Sequence, residues 1–236
     1  HMIFVGGGDF RKIGEEFFTY FVELGELKPN ARVLDIGCGV GRMARPLTRY
    51  LSADGSYEGF DIVPSGIEWC REKICVRFPN FRFQVADIYN QVYNPRGSTP
   101  AEKYEFPYDS EHFDLAFATS VFTHMLPDAV ENYLRETHRV LKPNGTCLTT
   151  FFLQNAETES LRGTALLDFR SEGDGYRTVD ATRPEEAVAY EENDARSMFE
   201  RCALEVIEPI RYGSWSGRPD PLSLQDIVVA RRNPPQ

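Results

Sequence analysis

The sequence predicts an α/β fold: an open, mostly parallel sheet of seven strands with helices on both faces, three layers in all, and a cap segment inserted after strand five. Three observations predict it. Strand-like and helix-like patterns alternate regularly from residue 31 to residue 152. An apolar run, Val33-Leu34-Asp35-Ile36, ends in Asp-x-Gly-x-Gly-x-Gly, with its glycines at Gly37, Gly39 and Gly41. Two further strand-like runs, residues 204–211 and 224–230, complete the pattern. With 42% apolar and 13% aromatic residues, a chain of 236 residues can bury one large core, so residues 1–236 read as a single domain.

Each element has its own signal. After an amphipathic run at 13–24, residues 31–36 read as a buried strand and 42–50 as a helix. Residues 56–62 form a second strand ending in Asp61; Pro64 stands where a helix can start, and 65–78 carry helical spacing. Pro79-Asn80 breaks that helix before a third strand at 81–86, and 113–119 form a fourth. Pro127-Asp128 opens a helix through Val140, Lys142-Pro143-Asn144-Gly145 is a turn, and the β-branched run 146–152 is the fifth strand. A helix at 193–202 precedes the last two strands. Two polar stretches interrupt the rhythm, 87–111 and 153–192. The second leaves the fifth strand and can reach over the carboxyl edge of the sheet, as a substrate-side cap with a hairpin or as a surface excursion.

A buried strand that runs into alternating glycines lets a ligand touch backbone, and the helix behind it aims N–H groups at the crevice. The spacing restricts the ligand. A dinucleotide fingerprint needs Gly-x-Gly-x-x-Gly, but the third glycine here is Gly41 and Arg42 follows. A phosphate loop needs Gly-Lys-Ser/Thr, which is absent. The motif instead resembles the first motif of the class I, Rossmann-like S-adenosylmethionine (SAM)-dependent methyltransferases. The resemblance covers roughly residues 31–152 plus the last two strands. It extends to Phe113-Asp114-Leu115-Ala116-Phe117-Ala118-Thr119-Ser120-Val121-Phe122-Thr123-His124-Met125, to Arg139-Val140-Leu141-Lys142-Pro143-Asn144-Gly145, and to Tyr212-Gly213-Ser214-Trp215 with Gln225-Asp226-Ile227-Val228-Val229. The last of these is similar to bacterial small-molecule enzymes of sugar or natural-product pathways. Asn144 departs from the family's usual glycine, but Asn tolerates a left-handed backbone.

The resemblance implies a last strand antiparallel to the rest. It also implies a cofactor set of Asp35, Gly37, Cys38, Gly39, Gly41, Arg42, Asp61, Ile62, Ala86, Asp87, Ile88, Thr119 and Ser120. Asp35 can hold the cofactor's ammonium or brace the turn. Asp61 suits the paired ribose hydroxyls, and Asp87 the adenine amine, with Ile62 and Ile88 on the ring faces. Residues 1–30 would close the pocket as a helix, with Phe10, Phe17 and Tyr20 lining it or packing as core; Phe122 and Trp215 fall on the substrate or lid side. His124, just past the fourth strand, is the candidate base, and a capping or packing histidine is the equal alternative. His112 and His138 are placed less well.

SAM is the expected cofactor, its demethylated product S-adenosylhomocysteine (SAH), and the acceptor a small molecule methylated at a hydroxyl oxygen, with no metal and no nucleic acid. The net charge of −10 opposes a broad nucleic-acid surface, and no run suits a membrane span. Five cysteines without metal spacing (Cys38, Cys70, Cys75, Cys147, Cys202) and no leader pattern point to reduced thiols in a cytoplasmic protein, and His1-Met2 reads as a tag remnant. A nicotinamide oxidoreductase and a non-catalytic SAM-binding or partner-binding domain remain the rival readings.

Overall fold

In a computed structural model that describes residues 7–234, strands β1 (Arg32–Ile36), β2 (Ser56–Asp61), β3 (Phe81–Val85), β4 (Phe113–Ala118) and β5 (Leu141–Phe151) lie parallel. Four short strands follow: β6 (Leu153–Gln154), β7 (Ser171–Glu172), β8 (Arg177–Thr178) and β9 (Val188–Glu191). These form a separate small sheet, so the cap segment has structure of its own, including the β7–β8 hairpin. Strands β10 (Leu204–Val206) and β11 (Asp226–Arg232) complete the main sheet in the order β10-β11-β5-β4-β1-β2-β3. β11 runs antiparallel to both neighbours, β5 and β10. The residues at 1–6, including Phe4-Val5-Gly6 and His1-Met2, lie outside the described chain.

Period-2 alternation makes the sheet two-faced. Val33, Tyr57, Leu115 and Phe117 point to one core layer, while Leu34, Ile36, Ala116 and Ala118 point to the other. The first layer is covered by α1 (Phe10–Glu23), α2 (Ala44–Leu47) and α3 (Pro64–Cys70). Asp9 caps α1 by accepting from the Arg11 and Lys12 N–H groups, and Phe21 stacks on Phe117 with 4.1 Å between centroids. The second layer is covered by α4 (Pro127–Val140) and α6 (Glu192–Arg201), while α5 (Ala156–Ser160) follows β6. No helix among the described residues is long and apolar enough to cross a membrane.

Several boundaries differ from the sequence reading, for local reasons. The helix expected at 42–50 shrinks to α2, because Gly41 takes φ +77° and the flanking residues form single turns. The helix expected at 65–78 ends at Cys70 and continues as one π-turn, Arg71–Cys75. The Lys142–Gly145 turn is absorbed into β5 as a bulge: the register jumps from Phe113↔Leu141 to Leu115↔Thr146, and Asn144 takes φ +65°. The strand expected at 204–211 stops at Val206, with Pro209 offering no N–H to a ladder.

Candidate cofactor and active site

The chain leaves β1 for β2 on one side, and β4 and β5 stack on the other, so a crevice opens beyond the carboxyl ends of β1 and β4. A cavity of 810 Å³ fills it. Its floor is the glycine turn. Gly37 and Cys38 donate their N–H groups to the Phe60 carbonyl at 2.9 and 3.0 Å, which fastens the turn to β2. Gly37 takes φ +77°, and a Cβ there would meet Val121 Cγ2 at 2.5 Å. Gly39 takes φ +54°, and a Cβ there would meet nothing within 4 Å, so its bare backbone faces open cavity.

Two buried carboxyl groups flank the turn. Asp35, 1% exposed, accepts the Tyr57 hydroxyl on Oδ2 and has no partner on Oδ1. Burial raises its pKa to about 8; the nearby Asp61 charge adds to the rise and the Tyr57 hydrogen bond opposes it. Asp61 accepts the Gly39 N–H on Oδ2 and the Val63 N–H on Oδ1, each at 2.8 Å. Burial raises its pKa too, against the pull of those N–H groups.

The far wall carries the polar residues past β4. Ser120 takes φ +57°; its N–H donates to Thr150 Oγ1 at 2.8 Å, and its hydroxyl donates to Gln225 Oε1 at 3.0 Å. His124 sits in the 3₁₀ turn Phe122–His124 and lines the cavity. Its Nδ1 lies 3.1 Å from the Glu185 carbonyl, and its ring meets Tyr93 edge-on at 5.2 Å. A carbonyl only accepts, so Nδ1 carries the proton of the neutral ring and Nε2 the lone pair. Burial lowers the His124 pKa, with hydrogen bonds to the Glu185 and Glu186 backbone opposing.

A family model described as a methyltransferase domain matches residues 33–145. The chain is 34% identical over 124 residues to aklanonic acid methyltransferase DauC of Streptomyces sp. (strain C5), covering 50% of this chain and 49% of that protein. It is 29% identical over 122 residues to a probable cobalt-precorrin-6B C(15)-methyltransferase (decarboxylating) of Thermoplasma acidophilum, covering 49% and 51%. The chain thus spans about half the length of these curated relatives. Among solved structures, the PH0226 protein from Pyrococcus horikoshii superposes with a TM-score of 0.65 at 17% identity, covering 97% of this chain and 93% of that one. The 1,6-didemethyltoxoflavin-N1-methyltransferase of Burkholderia thailandensis, solved with 1,6-didemethyltoxoflavin and SAH, gives 0.56 at 20%, covering 93% and 77%.

Residues 33–145 carry a methyltransferase domain, of the class I, SAM-dependent kind. Of the residues expected to hold its cofactor, Asp35, Gly37, Cys38, Gly39, Arg42, Asp61, Ile62, Ile88, Thr119 and Ser120 line the cavity. Three do not. Gly41 faces Ile74 and Cys70 and serves the packing of the turn. Ala86 is buried core. Asp87 is exposed and turns its carboxylate to the Ser98 hydroxyl and N–H, away from the adenine role expected of it.

The lid residues are corrected more broadly. Phe122 is fully buried against Phe151 and Tyr133 and does not reach the cavity of the methyltransferase domain. Trp215 is 2% exposed, packs on Phe152 and Phe169, and donates its indole N–H to Asp226 at 2.8 Å. Tyr20 donates its hydroxyl to the Leu222 carbonyl, and Phe10 lies under the Arg42 guanidinium at 5.7 Å; neither lines the cavity. From α1, Ile13, Glu16 and Phe17 line it instead. Sequence reading also missed Asn90, Tyr93, Glu185 and Gln225, which reach the cavity from loops, the cap and the approach to β11. Asn90, Tyr93 and Glu185 carry no motif, and Gln225 stands in one only as the approach to a strand; long-range folding brings all four there.

Proposed function

We propose that the protein transfers a methyl group from SAM to a hydroxyl oxygen of a small molecule, a sugar or natural product. One observation carries the cofactor side: the unpartnered Asp35 Oδ1 and the bare Gly39 backbone share one cavity wall. An orphaned buried carboxyl oxygen is costly unless a donor arrives, and the amino-acid end of SAM brings an ammonium. Asp61 has spare lone pairs for two ribose hydroxyls, and Ile62 and Ile88 offer apolar faces to an adenine. Bound there, SAM supplies an electrophilic methyl on a sulfonium.

The chain's own contribution is to position the acceptor, exclude water and take one proton. His124 is the residue for that proton. Its Nδ1–H is committed to a main-chain carbonyl, its lowered pKa keeps the ring neutral near pH 7, and Nε2 keeps the lone pair. The test is calorimetry with SAH followed by turnover of methyl-labelled SAM against hydroxyl acceptors. SAH binding with label appearing as an O-methyl ether is the expected result. Failure to bind SAH would remove the cofactor assignment, and transfer only to nitrogen or carbon would remove the hydroxyl.

A further inference from the structure

We infer that Glu185 selects the acceptor, and that the acceptor presents a hydroxyl donor on an apolar body and carries no anionic group. The inference rests on the methyltransferase reading above and names its substrate class. Among the described residues, the cavity lining includes four that carry carboxyl groups, Glu16, Asp35, Asp61 and Glu185, against one that carries a guanidinium, Arg42. Asp35 and Asp61 flank the glycine turn, and Arg42 lies on that same turn, near the Gly7 carbonyl and the Phe10 ring. Glu185 stands apart from them. It is the one residue of the cap, 153–192, among the described residues lining the cavity, and it sits in the 3₁₀ turn Pro184–Glu186.

The backbone of Glu185 is held next to the proposed base, and its carboxylate is fixed from the Asn90-Gln91 loop. Its own carbonyl accepts the His124 Nδ1–H, and its Oε2 accepts the Gln91 N–H. The neighbouring Asn90 amide donates to the His124 carbonyl at 3.1 Å and so ties the same loop to the base. Burial raises the Glu185 pKa, and the Gln91 N–H and the nearby Asn90 amide pull it back toward the charged form. An anionic group brought here would lose its hydration and meet a like charge in a cavity of low dielectric. A hydroxyl would instead donate to the carboxylate. Tyr89 and Leu224, 44% and 51% exposed, line the same cavity and offer apolar surface to the rest of the acceptor.

The test uses the SAH-loaded protein and a matched pair of probes, 2-naphthol and 6-hydroxy-2-naphthoate, read by saturation-transfer NMR at millimolar concentration. The naphthoate should bind about tenfold more weakly, the ratio set by ~1.4 kcal/mol of repulsion. Glu185→Gln keeps an acceptor for the Gln91 N–H and should leave SAH affinity by calorimetry unchanged while narrowing that gap at least ~threefold. Glu185→Ala is a second variant with the same readout. Equal binding of the two probes by the wild type, an unchanged gap in both variants, or binding of neither probe overturns the inference. Failure of the wild type to bind SAH would instead strike the methyltransferase reading beneath it.

Discussion

Replacing Asp35 by Asn should make the protein more stable at neutral pH and worse at holding its cofactor. Folding raises the Asp35 pKa from its ordinary 3.8 to about 8. Across that window the folded chain keeps a proton that the unfolded chain has released, so stability falls as pH rises. At about 1.4 kcal/mol per pH unit, the loss from pH 5 to pH 8 is about 4 kcal/mol. An amide cannot ionise, so Asp35→Asn removes that slope. It still accepts the Tyr57 hydroxyl, but its amide N–H₂ takes the position that now has no partner, at a cost of about 1–3 kcal/mol. Measured from acid pH, where Asp35 is protonated in both states, the wild type has lost ~4 kcal/mol by pH 7, about three units above 3.8, so the variant comes out ahead there by about 1–3 kcal/mol. Urea unfolding of both proteins at pH 5, 6, 7 and 8 measures it, since the other titrating groups, Asp226 among them, are common to both. Parallel pH profiles would refute the reasoning. SAH affinity should drop at least ~tenfold in the same variant, because the ammonium loses its carboxylate.

Gly39→Ala meets no neighbour and costs only the ~1 kcal/mol of a left-handed alanine, yet its methyl enters the cradle; SAH affinity by calorimetry should fall far more than stability does. Asp61→Ala frees the Gly39 and Val63 N–H groups and should weaken SAH binding at least ~tenfold, and an unchanged dissociation constant would take Asp61 out of the site. His124→Ala should cut turnover by ~10²–10⁴ with SAH affinity intact. In the wild type, the rate should fall as pH drops through a value below 6.5, where the ring protonates and ceases to be a base. Arg218→Ala leaves Asp226 buried without its cation, 3.8 Å away, and removes the donor to Glu157; urea unfolding should show a loss of ~3–5 kcal/mol.

The parts of this molecule governed by neighbours in sequence were legible there. The five parallel strands, the glycine turn and α4 follow from runs of apolar residues and from Gly and Pro at local positions. What escaped depends on partners far along the chain. The Asp87 carboxylate is turned aside by Ser98, eleven residues on. Phe122 and Trp215 are aromatic residues beside a cavity, and nothing in their sequence tells a lining ring from a buried one. Gln225 reaches Ser120 and Thr150 only because β11 pairs with β5. The two-residue strands of the cap are too short for periodicity to register and exist through contacts between residues 153 and 191. The candidate base was visible as a residue type just past β4, but the carbonyl that fixes its proton comes from Glu185.

The placement of β11 between β10 and β5 has a consequence for synthesis on the ribosome. β10 emerges before the strand that must seat it, and β5 keeps an open edge until residues 226–232 arrive. Asp226 at the head of β11 also receives the Leu153 and Gly213 N–H groups and the Trp215 indole, so those donors wait for the same event. The sheet and the root of the cap therefore lock together late, in one step. A nascent chain stalled short of that step would display a sticky edge for chaperones to shield.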